Sequence, residues 1–300
     1  MTEATRGHLA MLAFSALVAG SFSLGGLVAN EIAPAALQAA RFLLAAMLTG
    51  VLASASGQIR RAHLAAPWRY FLLAGFFGTY FVLMFEGLKT AAPVSAAAVF
   101  TLIPIMAAGF GYLLLRQILT PRIALGLSVG ASGALWVIFQ GSWTAFLRFE
   151  IGRGEAIYFL GCIFHAIYAP LLARLNRGEP PVVFTTGILI AGTLLMTAYG
   201  WRDLTATDWA ALPALVWITL GYIAVFATVA TFMLLQVASL RLPASKVMAY
   251  TYLTPSWVLL WELALGHGAP LPLVLVGVGL TVLALLILLR QEPERQPHPA

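Results

Sequence analysis

The chain of 300 residues is 61% hydrophobic and only 9% charged, whereas a soluble domain carries about 25% charged residues because its surface must meet water. This excludes a water-soluble fold. The net charge of +6 is spread singly between hydrophobic blocks, with no dense basic patch to suggest a nucleic-acid partner. A single cysteine, Cys162, rules out an internal disulfide, and the lack of CxxC or clustered Cys and His gives no reason to expect a metal or cofactor.

A helix needs about 20 mostly apolar residues to cross roughly 30 Å of hydrocarbon, and ten segments meet that length. Hydrocarbon offers no partner to an unpaired backbone group and the runs lack the alternation of barrel strands, so each is expected to be a helix. The first, 8–29, is long for a signal peptide, lacks a convincing cleavage site and is expected to be retained; it carries Phe22. The second, 34–52, holds Arg41 roughly 10 Å in at 1.5 Å per residue, from where it can snorkel to the outer side. In the third, 68–85, Tyr80 and Met84 share a face, and Glu86 follows at the outer end. The fourth, 93–115, contains Pro104, which removes a backbone bond and frees the carbonyl of Phe100. Phe100, Thr101 and Pro104 fall on one face. The fifth, 123–139, carries Gly126 and Gly130, which suit close packing, expected here inside one half.

The sixth segment, 156–172, puts His165 and Tyr168 on one face. A mid-span ionisable group is costly and by default functional, so His165 can carry protons, bond a substrate, or simply bond a neighbouring helix. Segments 182–199 and 209–235 follow; in the latter Thr231 and Leu235 correspond to Tyr80 and Met84. The ninth, 247–265, places Met248, Thr251, Tyr252 and Pro255 at helical spacing, with Glu262 toward the outer end. Pro255 frees the Thr251 carbonyl. Such carbonyls can receive a substrate ammonium or be satisfied by a nearby hydroxyl. The tenth segment is 271–289.

Counted over alternate loops, twelve basic residues (Arg6, Arg60, Arg61, Arg69, Arg116, Arg122, Arg174, Arg177, Arg241, Lys246, Arg290, Arg295) face four (Lys89, Arg148, Arg153, Arg202). The positive-inside rule then places both termini in the cytoplasm. Sliding the chain against itself by 151 residues superposes Phe81 on Phe232, Pro104 on Pro255, Pro121 on Pro272 and Gly126 on Gly277, and a shift of 146 superposes Pro34 on Pro180. Two five-span repeats follow, 1–140 and 153–290, with a cytoplasmic tail at 291–300 and one compact transmembrane domain overall. Because five is odd, the repeats are inverted, an arrangement that in transporters sets the substrate site near the midplane.

The run Ala92-Pro93-Val94-Ser95-Ala96-Ala97 leading to Leu102-Ile103-Pro104, and the run Leu242-Pro243-Ala244-Ser245 leading to Leu253-Thr254-Pro255 and Trp261-Glu262, resemble the EamA type of the drug/metabolite transporter superfamily. The resemblance covers nearly the whole chain. It implies a bacterial inner-membrane exporter of amino acids, aromatic or otherwise neutral, or related metabolites, with spans one, three, four, six, eight and nine around a central cavity. On that reading Phe22, Tyr80, Met84, Phe100, Thr101, His165, Tyr168, Met248, Thr251 and Tyr252 contact substrate, Pro104 and Pro255 bend their helices, and Arg41, Glu86 and Glu262 form outer-side charges able to pair with one another.

The expected partners are a small-molecule substrate and the lipid bilayer, with the chain acting as a monomer. Other readings are a multidrug-type exporter of hydrophobic or cationic compounds, a carrier of phosphate-bearing substrates, and a membrane enzyme. Phosphate calls for Arg or Lys in the cavity, which spans four and nine do not offer. An enzyme would need a motif such as HExxH, G-x-S-x-G or a P-loop, and none is present.

Overall fold

The computed structural model describes residues 2–116, 120–242, 244–268 and 270–289; the expected tail at 291–300, with Pro243 and Arg290, lies outside them. Nine helices are long and apolar enough to cross a membrane among the described residues: α1 (Glu3–Val28), α2 (Pro34–Ala55), α3 (Trp68–Leu88), α4 (Pro93–Leu115), α5 (Pro121–Ile138), α6 (Arg153–Leu175), α7 (Pro181–Tyr199) and α8 (Ala214–Ser239), and, last in the chain, α10 (Pro272–Leu289). The remaining expected span, α9 (244–264), consists of Ala244–Ala249, a 3₁₀ turn at Tyr250–Leu253 and Thr254–Ala264. The architecture is all-α, as the apolar runs require.

Local chemistry sets the helix ends. Helices α2, α4, α5, α7 and α10 start on Pro34, Pro93, Pro121, Pro181 and Pro272, where the missing N–H would have lacked a partner and φ is already helical. Thr2 caps α1 by accepting from the Thr5 amide, so this helix begins before residue 8. Trp209, expected inside the eighth span, precedes it, its indole donating to the Leu204 carbonyl at 3.1 Å.

Contacts between connections sort them onto two faces. On one, Arg241 meets Glu3 at 2.7 Å and Arg69 meets Glu179 at 2.6 Å; on the other, Asn30 donates to the Lys89 carbonyl at 3.5 Å and Trp136 to the Leu273 carbonyl at 2.8 Å. The N-terminus shares the first face with the α2–α3, α6–α7 and α8–α9 connections.

Lipid tails are as apolar as leucine, so close packing and not hydrophobic burial holds these helices together. The broadest contacts join α3 to α6, α5 to α10 and α2 to α7. This corrects the expectation that Gly126 and Gly130 serve packing inside one half, because α5 lies on α10. A Cβ on Gly133 or on Gly277 would sit 2.7 Å from the other's carbonyl oxygen, Gly126 faces Leu288, and Gly130 faces the Tyr252 ring. Glycine is needed where two backbones come this near. Phe22, Phe42, Met84, Phe85 and Tyr158 form the buried centre.

Candidate functional site

Between the helices lies a cavity of about 480 Å³. Its lining runs from Met11, Leu172, Leu242 and Met248, near the face that carries the N-terminus, to Arg41, Tyr80 and Met84 deeper in the bundle. Among the described residues, none of the lining comes from a connection on the opposite face. The cavity therefore reaches toward one side only.

Both breaks in the fourth and ninth segments shape its wall. Helix α4 stops at Phe100 and resumes at Ile103, and α9 passes through its 3₁₀ turn before Thr254. In each case proline, Pro104 or Pro255, is the second residue of the resumed helix. A proline ring cannot coexist with a normal α-turn against the carbonyl four residues earlier, so the chain tightens just before it. The breaks turn Phe100 and Thr251 to the cavity, and Pro104 lines it as well, whereas Pro255 is buried outside it.

Phe22, Tyr80, Met84, Phe100, His165, Tyr168, Met248 and Thr251 all line the cavity. His165 lies 4.6 Å from the Tyr80 ring and 5.8 Å from that of Tyr168 between centroids, and its Nδ1 has no hydrogen-bond partner among the described residues. Phe77, absent from the expected set, stacks on Tyr168 at 5.0 Å. Tyr80 bonds Tyr158 at 3.0 Å, joining α3 to α6.

Two expected positions are elsewhere. Thr101 is wholly buried and its hydroxyl donates to the Ala98 carbonyl at 2.7 Å. Tyr252 is also wholly buried, packed against Gly130 of α5 in a cluster with α10. A 3₁₀ turn advances about 120° per residue and an α-helix about 100°. Spacing that is read as one continuous helix therefore misplaces residues at a break.

The largest correction concerns Arg41. It does not snorkel and pairs with neither outer carboxylate: Glu86 takes Lys89 at 2.6 Å and Glu262 takes His267 at 2.7 Å. Arg41 is instead 1% exposed and lines the cavity. Its guanidinium lies 3.7 Å above the Phe81 ring, and Nε and Nη2 donate to the Thr228 hydroxyl at 3.0 and 2.9 Å. Nη1 donates more weakly to Gln38 at 3.4 Å. Thr228 belongs to a π-helical turn, Val225–Ala230, inside α8, and its hydroxyl donates in turn to the Ile223 carbonyl at 2.7 Å. This hydroxyl is thus held as an acceptor for arginine. The α2 sequence carries a signal of the arrangement: Gln38, Arg41 and Thr49 fall near one stripe, and all are buried.

No Asp or Glu lines the cavity among the described residues, and no His, Cys, Asp and Glu group capable of holding a metal occurs among them. Aromatic rings, thioethers, hydroxyls, the imidazole of His165 and one guanidinium can bind and release a small molecule.

Residues 5–139 and 152–290 each match the EamA-like transporter family. The chain belongs to that family, within the drug/metabolite transporter superfamily, and is a multi-pass membrane transporter. It is similar to YyaM of Bacillus subtilis (strain 168), an uncharacterized transporter, with 24% identity over 261 residues that cover 86% of each chain. A protein of known crystal structure shares the fold, with a TM-score of 0.66 at 19% identity over 95% of this chain and 96% of that one.

Proposed function

We propose that the protein exports small metabolites, foremost amino acids with aromatic or other neutral side chains, across a bacterial inner membrane by alternating access. The observation that carries this reading is the aromatic-walled cavity of about 480 Å³ that reaches toward one face alone. A site closed on one side is what a carrier needs, and ring faces and thioethers suit flat apolar groups. The two separate family matches support a duplicated chain with halves at 1–140 and 153–290. Inverted halves would let one rock against the other about the cavity. Both termini are cytoplasmic on this reading, so the cavity reaches the cytoplasm, where an exporter collects its cargo.

The test is flux of a panel of labelled amino acids through liposomes that contain the purified protein. Movement of aromatic and large neutral members, saturable and independent of ATP, is expected. If hydrophobic cations move and no amino acid does, the multidrug alternative replaces this reading.

A further inference from the structure

A buried cation in a membrane bundle must be compensated, because its desolvation costs several kcal/mol. Arg69 meets that requirement with Glu179 at 2.6 Å. Arg41, equally buried, has no carboxylate within ion-pair distance among the described residues. A ring face and a neutral hydroxyl offset only part of the cost. A guanidinium has five N–H donors, and its three hydrogen bonds, to Thr228 from Nε and Nη2 and to Gln38 from Nη1, leave one N–H on each Nη atom without a partner among the described residues, beside the cavity.

We propose that Arg41 receives the anionic group of the transported molecule, so that the cavity takes small monocarboxylates with an apolar or aromatic body whether or not they carry an amino group. The proposal rests on the transport reading of the cavity and narrows it. One guanidinium matches a single negative charge; a dianionic phosphate would remain half compensated. With no acidic side chain on the wall among the described residues, an ammonium finds only neutral acceptors there, such as hydroxyls and the imidazole of His165. The carboxylate therefore supplies the discrimination, and the rings of Tyr80, Phe100 and Tyr168 receive the body.

The full-length protein in liposomes is offered four probes of one shape: L-phenylalanine, phenylacetate, L-phenylalaninamide and phenethylamine. In parallel, phenylglyoxal modifies arginines and the peptide containing Arg41 is followed by mass spectrometry. Phenylalanine and phenylacetate are expected to move and to shield Arg41 from modification. The amide and the amine should act at least 10-fold more weakly, as the loss of a charge-assisted bond implies. Arg41→Gln should bring the ratio of phenylacetate to phenethylamine flux near one, and Arg41→Lys should retain part of it. Should Arg41→Gln fail to fold, the wild-type panel and the shielding measurement still decide. Shielding by carboxylates without any flux would overturn the transport reading and leave the anion site standing. Flux that is equal for acid, amide and amine, or shielding by the amine as strong as by the acid, overturns the proposal, as does an Arg41 that is inert to the reagent or shielded by none of the four.

Discussion

Replacing Glu179 by glutamine would remove the counter-charge of a guanidinium that has almost no access to solvent: the Arg69 and Glu179 side chains are 1% and 3% exposed. Breaking a buried pair by deleting one partner costs about 3–5 kcal/mol. Arg69 keeps its bonds to the carbonyls of Ala65, Ala66 and Leu175, so the lower end, about 3 kcal/mol, is expected. By the scaling of soluble proteins this lowers the melting temperature by about 6–12 °C. Burial by itself would raise the Glu179 pKa, but the Arg69 guanidinium and the backbone N–H of Arg177 outweigh it and hold the carboxyl below the usual carboxylate range. Since the folded value is depressed, the carboxylate's contribution is complete above the unfolded pKa of about 4.3 and disappears as pH falls through the folded value. Thermal unfolding in detergent, followed by intrinsic fluorescence at pH 7.5 and at steps below pH 5, should show a wide gap between wild type and Glu179→Gln that closes on acidification. A gap under about 2 °C at pH 7.5, or one that persists unchanged in acid, refutes this account of the pair.

Four further outcomes are expected. In a background with Cys162 replaced, cysteines at Tyr80, Tyr168 and Met248 should react with small water-soluble thiol reagents and be protected by substrate, whereas cysteines at Thr101, Tyr252 and Leu127 stay inert; the reverse pattern relocates the cavity. Gly277→Val, which forces a side chain against the Gly133 carbonyl, should destabilise the protein by several kcal/mol and reduce its yield on size-exclusion chromatography, while Gly279→Val, where open space surrounds the position, should not. A periplasm-active reporter fused after residue 289 should be silent, and high activity there would reverse the proposed topology. His165→Ala should leave flux independent of a pH gradient, as in wild type; a gradient that drives wild-type flux and loses its hold in the variant would make His165 a proton carrier.

How much was legible in the sequence differs by level. Spans were readable because hydrocarbon imposes one length and one secondary structure on each, and the two proline breaks because proline acts on its own backbone. Azimuth was not readable. The position of Arg41 along α2 suggested how deep it lies but not which way it points, since that depends on α8 and on the Thr228 hydroxyl of its π-helical turn. The burial of Gln38, Arg41 and Thr49 on α2 shows that a polar stripe, followed at helical spacing, was the available clue. Thr101 and Tyr252 were misplaced for a complementary reason, since the chain rotates differently through a break than through an α-turn. Which helix the glycines of α5 meet is a property of the assembled bundle, and small residues announce close approach without naming the partner.

The π-helical turn Val225–Ala230 also makes α8 sensitive to length. A π-turn holds one residue more than the α-turn it replaces, so deleting one residue within it would restore regular winding and leave everything beyond nearly in place, whereas deleting one from the regular winding before it would swing everything beyond by about 100°. The second deletion would take Thr231 and Leu235 off the cavity wall together, while the first would keep them there and remove only the bulge that holds the hydroxyl acceptor of Arg41. A substitution at one of these positions changes one side chain, but a single-residue deletion ahead of the bulge reassigns the whole face. For this span, the number of residues is as much a determinant of what the cavity presents as their identity.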